Sequence, residues 1–276
     1  VKFSLFTHNG ALNSKPVFEA FAQGVSTLGH EVTYNNLDAD VAVIWSVLWH
    51  GRMSANKNVW DHFKKQNKKV IVLEVGALFR GTTWKVGIDG INGDAVFPDG
   101  NNKSDRAEQL GLKLKPWNTD GSKIVICTQH DKSQQWEGMP PIQQFVSDMI
   151  RGVQMWTDRE IVVRPHPRCK IKIPGIEVQT PKQIPGTYDD FDLQFEDVYA
   201  LINWSSNPAT QAVMNGIPVF TGQSSLAWDM SMKSLTNINN PLMPDREQWL
   251  NNLAYTEWSV PEISQGTPIK HLTSLL

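Results

Sequence analysis

The chain has 276 residues, enough for one large domain or two of ordinary size, and its 40% hydrophobic and 20% charged content is that of a soluble globular protein. A formal net charge of −2 excludes an extended basic surface, so charge gives no sign of a nucleic-acid partner and leaves room only for a local basic face. No apolar run approaches the roughly 18 residues of a membrane span, and the opening VKFSLFTHNG lacks a long signal-type core, so a cytoplasmic protein with no membrane contact is expected.

Short β-rich apolar runs alternate with helical segments, the pattern of an α/β protein with parallel strands. The first run is VKFSLFT. After it Val17, Phe18, Phe21, Ala22, Val25 and Leu28 recur at three-to-four spacing, which predicts a helix that stops at Gly29. VAVIWSV is the second strand, NKNVWDHFKKQNKK the second helix, and KVIVLEVG the third strand. Residues 89–121 are rich in Gly, Asn, Asp and Pro and carry no long apolar run, which places the inter-domain region there. KIVICTQ opens a second α/β series, continued by the helix PIQQFVSDMIRGVQMWT and the runs EIVVRPH, ALINWSS and IPVFTG. DREQWLNNLAYTEWSVPEISQGT predicts one or two closing amphipathic helices. The expected division is 1–116, 117–245 and a C-terminal helical segment 246–276 that packs back on the fold.

Ligands of parallel α/β sheets bind at the carboxyl ends of strands, where loops and helix starts collect. Three such ends in the second half carry polar clusters. In VRPHPRCK, Arg164, His166 and Arg168 are held in a loop stiffened by Pro165 and Pro167, which suits a phosphate and equally suits a solvated turn. In NWSSNPATQAVMNGIPVF, Pro208 fits the first turn of a short helix that ends at Gly216, with Ser206 or Asn207 as the cap. Capping uses one side chain of Ser205, Ser206 and Asn207, so the remainder is open to bind an anion at the helix start. CTQHDKSQQW adds Gln129, His130, Lys132 and Ser133, each of which could also be merely solvated.

In the first half, THNG places His8 at a strand end beside a glycine turn, where a histidine can act as a general base or be an ordinary loop residue. Glu74 and Arg80 in EVGALFRGTTW are further catalytic candidates, and a buried ion pair would explain them as well; Asp38 and Asp40 are weaker ones. Cys127 and Cys169 follow no metal-ligand spacing and read as reduced thiols. Eleven tryptophans exceed what a core of this size needs, so some are expected to line a cleft or stack on a ligand.

RPHPR followed by WSSNPATQAVMNGIPVF resembles the HP and SS motifs of GT-B glycosyltransferases, such as bacterial sialyltransferases and capsule Kdo transferases. The resemblance covers the second half of the chain. It implies two Rossmann-like domains facing a central cleft, with C-terminal helices closing the structure. It also implies that His166, Ser205 and Ser206 hold the nucleotide and phosphate of a CMP- or UDP-linked sugar, with no cofactor beyond that co-substrate. The acidic-acidic-glycine motif that supplies the base in sialyltransferases has no clear counterpart in the first half.

With VLWHGRM, VLEVGALFRGTTWKV and IVVRPHPR, the whole chain is also similar to proteins of tailed phages, which implies double-stranded DNA containing 5-hydroxymethylcytosine as the acceptor. A saccharide acceptor, or a non-catalytic nucleotide-binding module, is the alternative. On this reading Arg164, His166, Arg168, Ser205, Ser206 and Asn207 stabilise the leaving group, joined by Gln129, Lys132 and Ser133. A flipped base would stack on Trp49 or Trp84 while Arg52, Lys57, Arg80 and Lys85 meet phosphates, and Trp45 reads better as core. No metal is expected; Asp189 to Asp192, DDFD, is the nearest approach to a metal-binding carboxylate pair and reads as a sugar- or base-binding loop.

Overall fold

The computed structural model describes residues 1–97, 101–181 and 194–276. The first half contributes β1 (Lys2–Leu5), α1 (Lys15–Thr27), β2 (Glu31–Tyr34), β3 (Val41–Trp45), α2 (Asn56–Lys65), β4 (Lys69–Val75) and β5 (Thr83–Ile88). There follow α3 (Asp105–Gln109), β6 (Lys123–Cys127), α4 (Ile142–Gln154), β7 (Glu160–Arg164), β8 (Glu177–Val178), β9 (Val198–Ile202), α5 (Pro208–Met214), β10 (Val219–Phe220) and β11 (Ser231–Met232). The C-terminal stretch adds α6 (Glu247–Ala254), β12 (Glu257–Ser259), α7 (Val260–Ser264) and α8 (Thr267–Leu272). Among the described residues no helix is long and apolar enough to cross a membrane.

Two compact units result: unit 1 holds Val1–Lys103, Lys132–Gln134 and Asn252–Leu276, and unit 2 holds Ser104–Asp131 and Gln135–Asn251. The division falls at Lys103/Ser104, earlier than the 116/117 boundary read from the sequence. The segment after it is already tied into unit 2: Lys115 N donates to Met214 O (2.9 Å) and Asn118 N to Gly216 O (2.7 Å). The Arg246 guanidinium grips the carbonyls of Val213 and Lys115 at 2.5 and 2.6 Å. Gly216 has φ +79, and a Cβ there would strike the carbonyl oxygen of Pro116, so the stop of α5 and this close approach both require glycine. The expected C-terminal segment 246–276 is also divided, because β12 is a strand of the unit 1 sheet.

Unit 1 is a six-stranded sheet in the order β12-β5-β4-β3-β1-β2. The β1, β2, β3 and β4 pairings are parallel, whereas β5 and β12 run antiparallel at one edge. Every residue of β3 is buried, as expected for a parallel strand covered on both faces. The predicted stripe of α1 is its buried face, and Phe63 of α2 meets Phe6 edge-on at 6.0 Å over Ile44 and Val72.

Unit 2 is a wholly parallel sheet in the order β11-β10-β9-β6-β7-β8. Counted within the unit from β6, that order is 3-2-1-4-5-6 read from the other edge, the doubly wound dinucleotide-binding order. Its core packs Phe145, Val146, Ile150 and Val153 of α4 against Ile124, Ile126, Ile161 and Val163 of the sheet. Each such side chain contributes about 1.5–3 kcal/mol on burial, which makes this face a main source of the unit's stability.

Candidate functional site

The doubly wound order fixes where unit 2 can hold a ligand. From β6 the chain proceeds to β7 and β8 on one side and returns to β9, β10 and β11 on the other, so the crevice lies at the carboxyl ends of β6 and β9. Thr128, Gln129 and His130 follow β6, and Asn203 to Ser206 follow β9. Gln129 joins the two loops, because its Oε1 accepts from Ser205 N (3.0 Å) and from Ser205 Oγ (2.8 Å). Both residues are buried, Gln129 at 6% and Ser205 at 2% exposure.

The β9 loop is held from several sides. Asn203 Nδ2 donates to the carbonyl and hydroxyl oxygens of Ser206 at 2.7 and 3.1 Å. Trp204 Nε1 donates to Gln135 O (2.8 Å), and Gly222 N donates to Trp204 O (2.7 Å). A Cβ on Gly222 would enter the Trp204 ring, so this glycine sets how closely β10's exit passes the loop. Pro208 begins α5 as expected, but neither Ser206 nor Asn207 caps it: Asn207 occupies the cap position in αR conformation with no side-chain cap bond. With seven residues α5 carries only a short dipole, so the chemistry of this loop rests on its side chains.

The third loop leaves β7. Thr128 N donates to Arg164 O (3.1 Å), and His166 N donates to Thr128 Oγ1 (3.0 Å), which seats the RPHPR turn beside the β6 exit. Arg168 N donates to His166 Nδ1 (3.2 Å). A backbone N–H can only donate, so Nδ1 is the acceptor and the proton of the neutral ring is on Nε2. The ring donor of His166 is therefore Nε2–H. Arg164 is half-buried, and its Nε has no hydrogen-bond partner among the described residues. His130 lies edge-on to His166 at 5.3 Å, and His130 Nδ1 and Cys169 Sγ approach Asp131 Oδ1 at 3.2 and 3.5 Å. Those three donor atoms lie within 4.8 Å of one another and could accept a borderline-soft cation.

Burial pushes the Cys127 thiol up to about 12, against the opposing pull of the Arg164 guanidinium across the β6–β7 pair. Cys127 is 1% exposed and Cys169 is half-buried. In the native chain, a thiol reagent at neutral pH is expected to titrate Cys169 and to reach Cys127 only after unfolding. Two rapidly reacting thiols in the folded protein would contradict this placement.

The structure thus brings together Gln129, Arg164, His166, Ser205 and Ser206. Arg168 is exposed and Asn207 half-buried on the same loops. Lys132 and Ser133 fall in unit 1, where Trp49 N donates to Lys132 O (3.0 Å) and Ser133 bridges to Leu48. Asp189 to Asp192 lies outside the described residues.

In unit 1 the order β2-β1-β3-β4 places the comparable crevice at the carboxyl ends of β1 and β3. His8, exposed in the turn Thr7–Asn9, and Ser46 stand at those ends. Trp49 is half-buried with its ring 6.0 Å from Trp60, and Arg52 is exposed in the turn Gly51–Ala55. Glu74 is half-buried within β4 and accepts from Val75 N (2.8 Å); Arg80 is half-buried in the following turn.

Trp84 and Lys85 sit elsewhere than the solvent-facing acceptor role expects, at 6% and 1% exposure. Lys85 lies on β5 between Glu74 and Glu257 of the neighbouring strands and donates to Asn92 Oδ1 (2.7 Å). Burial lowers its pKa, with the carboxylates of Glu257 and Glu74 acting the other way. A lysine enclosed in a sheet cannot meet a DNA phosphate. Sequence reading missed Thr128, whose hydroxyl orients His166, and Asn203, whose side chain shapes the Ser206 turn; the polar NWSSN run was the available signal for the latter.

Fold and site together define an α/β chain of two Rossmann-like units, with a polar crevice at the switch point of the second. Across 94% of this chain and 92% of the other, the fold is similar to a β-Kdo 2,4 transferase, KpsC, of Thermosulfurimonas dismutans (TM-score 0.56, 14% identity). A β-Kdo 2,7 transferase KpsC of the same organism is similar over 98% of this chain and 100% of that one (TM-score 0.54, 15% identity). No protein-family model and no curated protein matches the sequence. At these identities the likeness establishes the fold.

Proposed function

We propose that the chain is a glycosyltransferase that moves a sugar from a CMP- or UDP-linked donor held in unit 2 to a hydroxyl of a saccharide. The observation that carries this reading is the convergence of Gln129, His166 and the Ser205–Ser206 pair at the switch point of a 3-2-1-4-5-6 sheet. The likeness to two Kdo transferases over more than nine-tenths of the chain supports it, and makes a Kdo-type sugar the first donor to try.

Glycosyl transfer breaks the bond between the anomeric carbon and the donor phosphate oxygen and forms one to the acceptor oxygen, which loses its proton. Nε2–H of His166 and the Arg164 guanidinium would meet the charge that develops on the departing phosphate, and the rigid loops position it before reaction. His8 is the favoured base, because it is exposed at the unit 1 crevice, whereas Glu74 already accepts from Val75 N. A saccharide is favoured over hydroxymethylated DNA because Trp84 and Lys85 are unavailable to a duplex and the net charge is −2.

The test offers radiolabelled sugar from CMP- and UDP-linked donors to saccharide acceptors, to hydroxymethylated duplex and to unmodified duplex. Label in saccharide is the expected result. Label confined to hydroxymethylated duplex reverses the acceptor assignment. Nucleotide binding without any transfer identifies a binding module instead.

A further inference from the structure

The first turn after the first strand of a doubly wound unit meets the phosphates of a nucleotide, and glycines there let the backbone approach the ligand. In unit 2 the turn that leaves β6 reads TQHD and holds no glycine. Cβ atoms along this turn hold a ligand further from the backbone than glycine would, which gives side chains the larger part.

Gln129 is the side chain placed to take it. Its amide orientation is forced, because the Ser205 backbone N–H at 3.0 Å can only donate and its partner must be Oε1. The Ser205 hydroxyl donates to the same oxygen at 2.8 Å, which occupies both of its lone pairs. The NH2 end is thereby turned away from Ser205, and among the described residues none accepts a hydrogen bond from Nε2. Gln129 is 6% exposed, and Nε2 is not among the buried polar atoms that lack a partner, so what little of the side chain is accessible includes the amide donor, where a ligand can meet it.

We infer that Gln129 donates through Nε2 to a phosphate oxygen of the bound nucleotide, and that Ser205 is a positioning residue that aims this amide. The inference rests on the nucleotide-binding reading of unit 2 and changes the role of the SS pair. Ser205, at 2% exposure with its proton given to Gln129, acts through another side chain. Ser206, half-buried beside it, remains the serine able to face a ligand.

Gln129→Glu is the discriminating variant. A carboxylate accepts from Ser205 N–H and O–H as the amide does, so the loop junction is kept, but it opposes an anion where the amide attracts one. Protonation restores a donor at the same place. Titration calorimetry of CMP and UDP on the whole chain at pH 7.5 is expected to show binding by the wild type and a loss of about tenfold or more in Gln129→Glu, with melting temperature little changed.

At about pH 4, close to the ordinary glutamate value, the gap between variant and wild type, measured side by side, is expected to narrow as the carboxyl takes up a proton. Ser205→Ala, which keeps the backbone N–H, is expected to weaken binding by a few-fold at both pH values. Equal affinity of wild type and Gln129→Glu at pH 7.5 overturns the inference and leaves the nucleotide site standing. A gap that does not change with pH, or unaltered binding by Ser205→Ala, overturns the roles assigned to the pair. A wild type that binds neither nucleotide overturns the inference and the nucleotide-binding reading together.

Discussion

Glu257→Ala is expected to lower the stability of unit 1 by about 3–5 kcal/mol, read as a shift of the denaturant midpoint, which is a large share of what holds a domain of this size. Glu257 is 0% exposed and accepts from Ala77 N (2.5 Å), Leu78 N (3.1 Å) and Thr83 Oγ1 (2.7 Å). It also lies directly across the β5–β12 pair from the enclosed Lys85. Alanine removes the acceptor for three donors and the nearest compensation for a buried ammonium, whose cost burial already expresses as a lowered pKa. Glu257→Gln keeps one acceptor oxygen and the volume, so it is expected to cost less than the alanine. Equal and small losses in both variants would show that the carboxylate does not anchor the turn after β4.

His166→Ala is expected to lower kcat/KM for sugar transfer by about 10²–10³, the usual effect of removing one preorganised donor to a developing charge. Stability is expected to stay within about 1 kcal/mol, because the half-buried ring makes an edge contact with His130 and a hydrogen bond from Arg168 N, and fills no core. His166→Gln offers an amide donor in nearly the same place and is expected to recover part of the rate. A full-rate alanine variant would remove His166 from the site.

Most of the fold was legible in the sequence because parallel strands covered on both faces are continuous apolar runs. VKFSLFT, VAVIWSV, KVIVLEVG, KIVICTQ, EIVVRPH and IPVFTG contain β1, β3, β4, β6, β7 and β10, and ALINWSS covers the last three residues of β9. The strands that escaped are short or depend on partners distant in sequence. β8 and β11 have two residues each, and β12, three residues long, exists because it pairs with β5 from the far end of the chain. β5 carries Lys85, a charge that argues against a buried strand until Asn92 and Glu257 are seen around it.

At the site, strand-end polar clusters pointed to the loops that leave β6, β7 and β9, because carboxyl ends of parallel strands follow directly from the strand assignment. The division of labour within those loops was not readable. Which serine faces outward depends on the bonds from Ser205 to Gln129, 76 positions away, and which nitrogen of His166 carries the proton depends on Arg168 N. Exposure failed as a guess at Trp84 and Lys85 for the same reason: tertiary partners decide it.

A crystal structure of the chain with CMP or UDP bound is the most direct measurement. The expected result is a nucleotide seated at the carboxyl ends of β6 and β9, with a phosphate oxygen within about 3 Å of Gln129 Nε2 or His166 Nε2. A nucleotide bound instead in unit 1 beside His8 and Ser46, with the unit 2 crevice holding only water, contradicts it.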